Sequence, residues 1–139
     1  HQAVLDHIQH RKIYRRRTFL RFLPLDYNQP LPLKTESFDL LLSIYAPGIA
    51  RACKRYLRPG GLLLSNNHQD DAGYAARDPD FKLIAIIRQA RKSLQIEHQE
   101  LAQYFIPLPE PTRARLQRGH ANPERRYTQD ADYYLFRKS

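Results

Sequence analysis

Residues 31–67, LPLKTESFDLLLSIYAPGIARACKRYLRPGGLLLSNN, decide the reading of the fold, because they carry strand, helix, turn and second strand in one piece. Phe38-Asp39 opens the apolar run Leu40-Leu41-Leu42, about ten residues of helical pattern follow, and Arg58-Pro59-Gly60-Gly61 turns the chain into Leu62-Leu63-Leu64. Runs that are apolar on both faces suit a parallel sheet with helices on each side. Gly60 and Gly61 permit the positive φ of a tight helix-to-strand turn.

Working outward, Val4, Leu5 and Ile8 predict a short amphipathic helix near residues 2–11, and Phe19, Phe22 and Leu23 predict a strand over residues 18–25. Asp26 falls just past that strand, and Pro30 and Pro32 make the next stretch a loop. A strand over 38–43, a helix over 49–57 opened after Pro47-Gly48, and a strand over 62–65 follow. Beyond the polar residues 66–71, a short helix or turn over 72–77 is broken by Asp78-Pro79-Asp80. Residues 81–87 read as a strong strand, 93–96 as its hairpin partner and 97–105 as a helix. Pro107, Pro109 and Pro111 form a rigid connector before residues 112–118. Residues 132–137 close the chain as a strand, with Tyr133, Leu135 and Arg137 on one face and Tyr134 and Phe136 on the other. The expectation is a single α/β domain over 1–139 in which the strands over 18–25, 38–43, 62–65, 81–87 and 132–137 share one mostly parallel sheet, flanked by helices, with the last strand antiparallel.

A chain of 139 residues with 42% hydrophobic composition, nine Tyr and six Phe can build a core of its own. The single cysteine, Cys53, excludes an intrachain disulfide framework and a multi-cysteine zinc site, fits a reducing cytoplasm, and reads as a buried filler. No apolar stretch approaches the roughly 20 residues that cross a bilayer, and no signal-peptide pattern opens the chain, so a cytoplasmic protein without a membrane partner is expected. The sequence has no methionine and begins with His1, too bulky a neighbour for an initiator methionine to be trimmed; an N-terminal part is therefore expected to be missing.

The formal charge is +9, and the excess is uneven: Arg11, Lys12, Arg15, Arg16, Arg17 and Arg21 crowd one short segment. Such a cluster suits phosphates, although a solvated helix end or strand edge looks the same in sequence. Tyr14, Phe19 and Phe22 interleave with the cations as they do in nucleic-acid grooves, and they also suit a strand core.

Three features together resemble the C-terminal part of class I S-adenosylmethionine-dependent methyltransferases. They are Asp26, the segment Leu31-Pro32-Leu33-Lys34-Thr35-Glu36-Ser37-Phe38-Asp39, and Leu57-Arg58-Pro59-Gly60-Gly61 after a helix of the expected length. The resemblance runs from about Thr18 to the end and implies a Rossmann-like fold, S-adenosylmethionine as cofactor and methyl transfer as activity. It also implies roles: Asp26 accepts a hydrogen bond from the adenine amino group, Tyr27 offers its backbone amide, and Ser43, Ile44 and Tyr45 lie near the cofactor. The ligand edge of an open parallel sheet is at the carboxyl ends of its strands, where these residues fall. The departures are equally specific. No glycine precedes Gly48, so the glycine-rich first loop is absent, and so is the carboxylate that would hold the ribose hydroxyls. The domain is thus expected to be incomplete at its N-terminus. Asp39, at the start of its strand, reads as structural.

The polar residues after the next strand, among them Asn66, Asn67 and His68, stand at the same edge, where a methyl acceptor enters. Asn66 or Asn67 would orient an acceptor amide or hydroxyl and His68 would take a proton, while ordinary turn chemistry accounts for the same residues. Methyl transfer from a sulfonium needs mainly in-line positioning, so no catalytic residue is assigned. No metal site is expected: His7 and His10 lack a third ligand at zinc spacing, and Asp70 and Asp71 are adjacent residues whose side chains diverge. Nucleophile-elbow and phosphate-loop motifs are absent. Two readings stand: a methyltransferase of unidentified acceptor, and a non-catalytic basic module that binds nucleic acid or a partner protein through the Arg11 to Arg21 cluster.

Overall fold

A computed structural model describes residues 2–110, 112 and 126–139. Strands β1 (Phe38–Ser43), β2 (Leu57–Ser65), β3 (Phe81–Ala90), β4 (Ser93–Glu97) and β5 (Tyr133–Lys138) form one sheet in the order β1-β2-β5-β3-β4. Helices α1 (Gln2–Arg11), α2 (Ile49–Cys53) and α3 (Asp71–Arg77) complete the α/β architecture, with single 3₁₀ turns at Lys54–Tyr56, His68–Asp70 and Leu101–Gln103.

The sheet is open and mixed, a correction to the mostly parallel expectation. Only β1 and β2 pair in parallel; β2 with β5, β5 with β3 and β3 with β4 are antiparallel. The cause is β5, which inserts between β2 and β3 and turns what would be a parallel neighbour pair into two antiparallel ones. β1, β2 and β3 still point the same way. The antiparallel last strand is as expected, and the β3–β4 hairpin closes over Arg91-Lys92 between Ala90 and Ser93.

β1 and β2 keep register from Leu40↔Leu62 to Ser43↔Ser65, but Phe38 pairs with Leu57, so Arg58 to Gly61 bulge out between two paired positions. The turn expected at Pro59-Gly60-Gly61 is therefore an excursion inside β2, and the predicted helix over 49–57 stops at Cys53, giving way to the 3₁₀ turn Lys54–Tyr56 before β2 opens at Leu57. Gly60 has φ 75°, and a Cβ on Gly61 would lie 2.8 Å from the Leu57 side chain. Arg58 Nε spans the excursion to Asp39 Oδ1 at 2.5 Å.

Residues 18–25 form no strand. A strand exists by sharing backbone hydrogen bonds with a neighbour, and here the Leu25 N–H instead closes a tight turn over Pro24 onto Leu23 O at 2.9 Å. Residues 97–105 form no helix either. Glu97 ends β4, and the remainder makes one 3₁₀ turn entered through Glu100 at φ 53°. The predicted element over 112–118 lies outside the described residues.

The core lies on one face of the sheet. Leu63 and Phe136, adjacent in register, carry no exposed surface, and Tyr134 and Ile86 join them beneath Ala50 of α2 and Ala72 and Ala75 of α3. Phe105 packs among Tyr134 and Tyr127 at ring-centre distances of 4.9 and 5.2 Å. Burial pushes the Tyr134 phenol up to about 12 and raises the Cys53 thiol. The opposite face is more open: Leu42, Leu64 and Leu135 align in a row across three strands, and Leu42 is 53% exposed. β1 is a rim strand, and Leu40 is also 49% exposed. α1 buries none of its residues. No helix among the described residues is long and apolar enough to cross a membrane.

Candidate functional site

Parallel pairing of β1 with β2 sets their carboxyl ends side by side, Ser43 against Ser65. The chain leaves β1 through Ile44, Tyr45, Ala46 and Pro47 into α2, and leaves β2 through Asn66, Asn67 and His68 into α3. The Asn66 N–H donates to Ser43 O at 3.2 Å, extending the pairing one step beyond the strands. Asn66 Oδ1 then accepts the Tyr45 N–H at 3.1 Å, and Asn67 Oδ1 accepts the Gly73 N–H of α3 at 3.1 Å. Both asparagines, sequence candidates for acceptor binding, thus use their oxygens to hold the loop backbone. An amide fixed in this way has its two N–H donors turned from that bond.

The loops are strained where they meet. Tyr45, Gln69 and Asp70 have φ of 54°, 50° and 67°, three of the five non-glycine residues with positive φ among the described residues. Such conformations persist only when surrounding bonds fix them, and they gather at binding sites. The result is an aromatic pair: the Tyr45 ring meets His68 edge to face with centres 5.7 Å apart. Tyr45 is 73% exposed and His68 half-buried. Ile44 is 37% exposed beside them.

The Asp26 loop reaches the same edge through its neighbour, since Tyr27 Oη donates to Pro47 O at 2.9 Å. Asp26 itself is exposed and sits in a turn rather than at a strand end. Its Oδ1 accepts both the Asn28 N–H and Asn28 Nδ2, each at 2.9 Å, the geometry of a local cap. Both bonds fall on one oxygen, so the turn does not itself require the other. Two of the candidates are buried, Asn66 at 8% and Ser43 at 1% exposed. The Ser43 hydroxyl donates to Asp71, so it supports the site from beneath.

That Asp71 matters was not read from the sequence. It is 4% exposed, and besides Ser43 it accepts the Gly48 N–H at 3.0 Å, the Ala50 N–H at 3.4 Å and the Ser65 hydroxyl at 3.4 Å. One carboxylate thus satisfies donors from the end of β1, the end of β2 and the start of α2. Asp70 turns the other way, to Tyr127 Oη at 2.7 Å and Arg77 Nη2 at 2.9 Å. Burial, then the Asp70 carboxylate, push the Tyr127 phenol up. The two carboxylates diverge, and no group of three or more His, Cys, Asp or Glu suited to a metal ion occurs among the described residues. A signal for Asp71 existed in its place at the first turn of a helix, but Ser65 alone among its partners is near in the chain, and Ser43, Gly48 and Ala50 stand 21 to 28 residues away.

The edge therefore offers an exposed aromatic face, an imidazole beside it, two clamped amides and a nearby turn carboxylate. It can lay a planar group flat and hold or accept a proton at His68. Comparison with family models, curated proteins and solved structures found no match to this chain.

Proposed function

We propose that the chain is part of a Rossmann-like, cytoplasmic S-adenosylmethionine-dependent methyltransferase with an acceptor still to be identified. The observation that carries this reading is the convergence of three separate segments at the carboxyl edge of the β1–β2 pair: Tyr27 tied to Pro47, Tyr45 tied to Asn66, and His68 against Tyr45. Ligands of open α/β sheets bind at that edge.

The residues present fit the nucleoside end of the cofactor. The Asp26 carboxylate would accept from the adenine amino group and the Tyr27 amide would face the ring, with Ile44 and Tyr45 as walls and Ser43 fixing the strand end beneath. The other end has no holder in this sequence: no glycine precedes Gly48 and no ribose carboxylate is identified. When bound, S-adenosylmethionine supplies an electrophilic methyl group on sulfur. Asn66 and Asn67 would present their amide donors to an acceptor, and His68 would take its proton.

An amide NMR titration of the isotope-labelled chain with S-adenosylmethionine tests the reading. Shifts clustered at Asp26, Tyr27, Ile44 and Tyr45 by millimolar ligand are expected. Saturation without shifts there, or shifts confined to residues outside that edge, would remove its basis.

A second reading, a basic module that binds nucleic acid, is favoured by an observation of its own. Arg11, Arg15, Arg16, Arg17 and Arg21 are exposed and Lys12 is half-buried, alongside Phe19 and Phe22, which are 91% and 75% exposed.

A further inference from the structure

Resting on that second reading and deepening it, we propose that residues 12–22 form a binding strip for single-stranded nucleic acid, with the arginines on phosphates and Phe19 and Phe22 stacked on bases. Six cations fall within residues 11–21, and no acid stands between Asp6 and Asp26. Nothing in the strip neutralises this charge from within, which selects a polyanion over an acid-poor or apolar partner.

The local structure holds the strip open. Lys12 Nζ donates to Arg16 O at 2.8 Å, and the Tyr14 and Thr18 hydroxyls lie 3.0 Å apart, so the backbone bends over each four-residue step. Leu20 and Leu23 are half-buried, while their neighbours Phe19 and Phe22 turn outward. The Arg17 guanidinium lies 5.9 Å from the Phe19 ring centre, so cation and flat aromatic face come as a unit.

That combination distinguishes among polyanions. Phosphates alone would be met by the arginines on any strand, but an open phenyl face is useful only to a base whose own face is free. Bases in a duplex are stacked on one another, whereas those of a single strand are available. The strip should therefore prefer single strands and show little sequence selectivity.

Fluorescence anisotropy of the full chain tests this with a labelled oligouridylate, a duplex of equal length and heparin, each over a salt series. The single strand is expected to bind at least about tenfold tighter than the duplex. Phe19→Ala with Phe22→Ala should abolish that preference and leave heparin binding unchanged. Arg15→Gln, Arg16→Gln and Arg17→Gln together should weaken all three ligands and reduce the single-strand salt slope by about 2. Circular dichroism and thermal unfolding verify that both variants fold, as surface replacements should. Equal affinity for single strand and duplex, with the arginine dependence intact, overturns the stacking inference and leaves the basic module standing. Failure to bind any of the three, or indifference to the arginine replacements, overturns both.

Discussion

The hydroxyl of Ser43 donates to the carboxylate of Asp71 across 28 residues of chain, and this bond ties the end of β1 to the start of α3. Because Asp71 also takes the N–H groups of Gly48 and Ala50, one side chain sets the spacing of both loops at the candidate site.

Asp71→Ala should accordingly cost about 3 kcal/mol of stability, since several buried donors lose their acceptor together. Ser43→Ala removes one bond and should cost about 1 kcal/mol. Urea unfolding measures both. An Asp71→Ala chain within about 0.5 kcal/mol of the wild type, the range of ordinary surface changes, would show that the carboxylate is not a keystone.

Gly73→Ala reverses a familiar rule. In a helix interior alanine normally gains about 1 kcal/mol over glycine, but a Cβ at Gly73 would fall on the Asp70 carboxylate and the Tyr127 hydroxyl. The expected result is a net loss of about 2 kcal/mol. Thermal unfolding showing an unchanged or higher midpoint would refute this packing.

The Lys54–Asp78 pair predicts a pH window. Asp78 Oδ2 lies 2.7 Å from Lys54 Nζ, with side chains 6% and 26% exposed respectively. Burial pushes the Asp78 carboxyl up, but the Lys54 ammonium and the Asp80 N–H outweigh it and hold the carboxyl below its usual range. A depressed carboxyl contributes stability above its unfolded value, about 3.9, and loses it as pH falls through the lower folded value. Bonds to Asp78 and Asp80 raise the Lys54 ammonium, so its share persists until pH climbs past the lysine range. Asp78→Asn should cost about 2 kcal/mol at neutral pH, and the gap from wild type should close below about pH 4. A gap constant from pH 7 to pH 3 would disprove the assignment.

For the proposed methyltransferase, Asp26→Ala should weaken S-adenosylmethionine binding about tenfold or more, the loss of one charge-assisted hydrogen bond. The fold should survive, because Asp26 is exposed. Asp39→Ala is the contrast: its pair with Arg58 is exposed on both sides, so stability should drop by no more than about 1 kcal/mol with affinity unchanged. Without the glycine loop and ribose carboxylate, affinity of the 139-residue chain should be weaker than low micromolar. Calorimetric titration of the three proteins reads all of this; equal affinities of the two variants would reduce Asp26 to a loop cap.

The β1–β2 unit was legible because its signals are local. Leu40 to Leu42 and Leu62 to Leu64 are continuous apolar runs, and the glycines between them mark the turn. Tyr134 and Phe136 were legible by alternation, and both are fully buried. What failed depended on partners. Residues 18–25 have strand-like composition, but composition does not supply a neighbouring edge. Residues 97–105 carry a helical pattern that β4 consumes at Glu97 and that Glu100 breaks with a left-handed backbone. Parallel or antiparallel pairing depends on where β5 inserts, a choice made by residues 133–138 against strands far earlier in the chain. At the site, the sequence pointed to Tyr45, Asn66 and His68 by their position after strands, while the bonds that Asp71 accepts from Ser43, Gly48 and Ala50 were hidden by distance along the chain.

The rim position of β1 has a colloidal consequence. Its outer backbone groups have no strand beside them among the described residues, and Leu40 and Leu42 stand exposed along the same rim, a template on which another extended chain can add. Mutual repulsion from a charge of +9 opposes such addition, and salt shortens the reach of that repulsion to about 8 Å at physiological ionic strength. Solubility of the isolated chain should therefore fall as salt rises, even where the stability of each molecule is unaltered, and a single lysine on the outer rim at Leu40 should restore it.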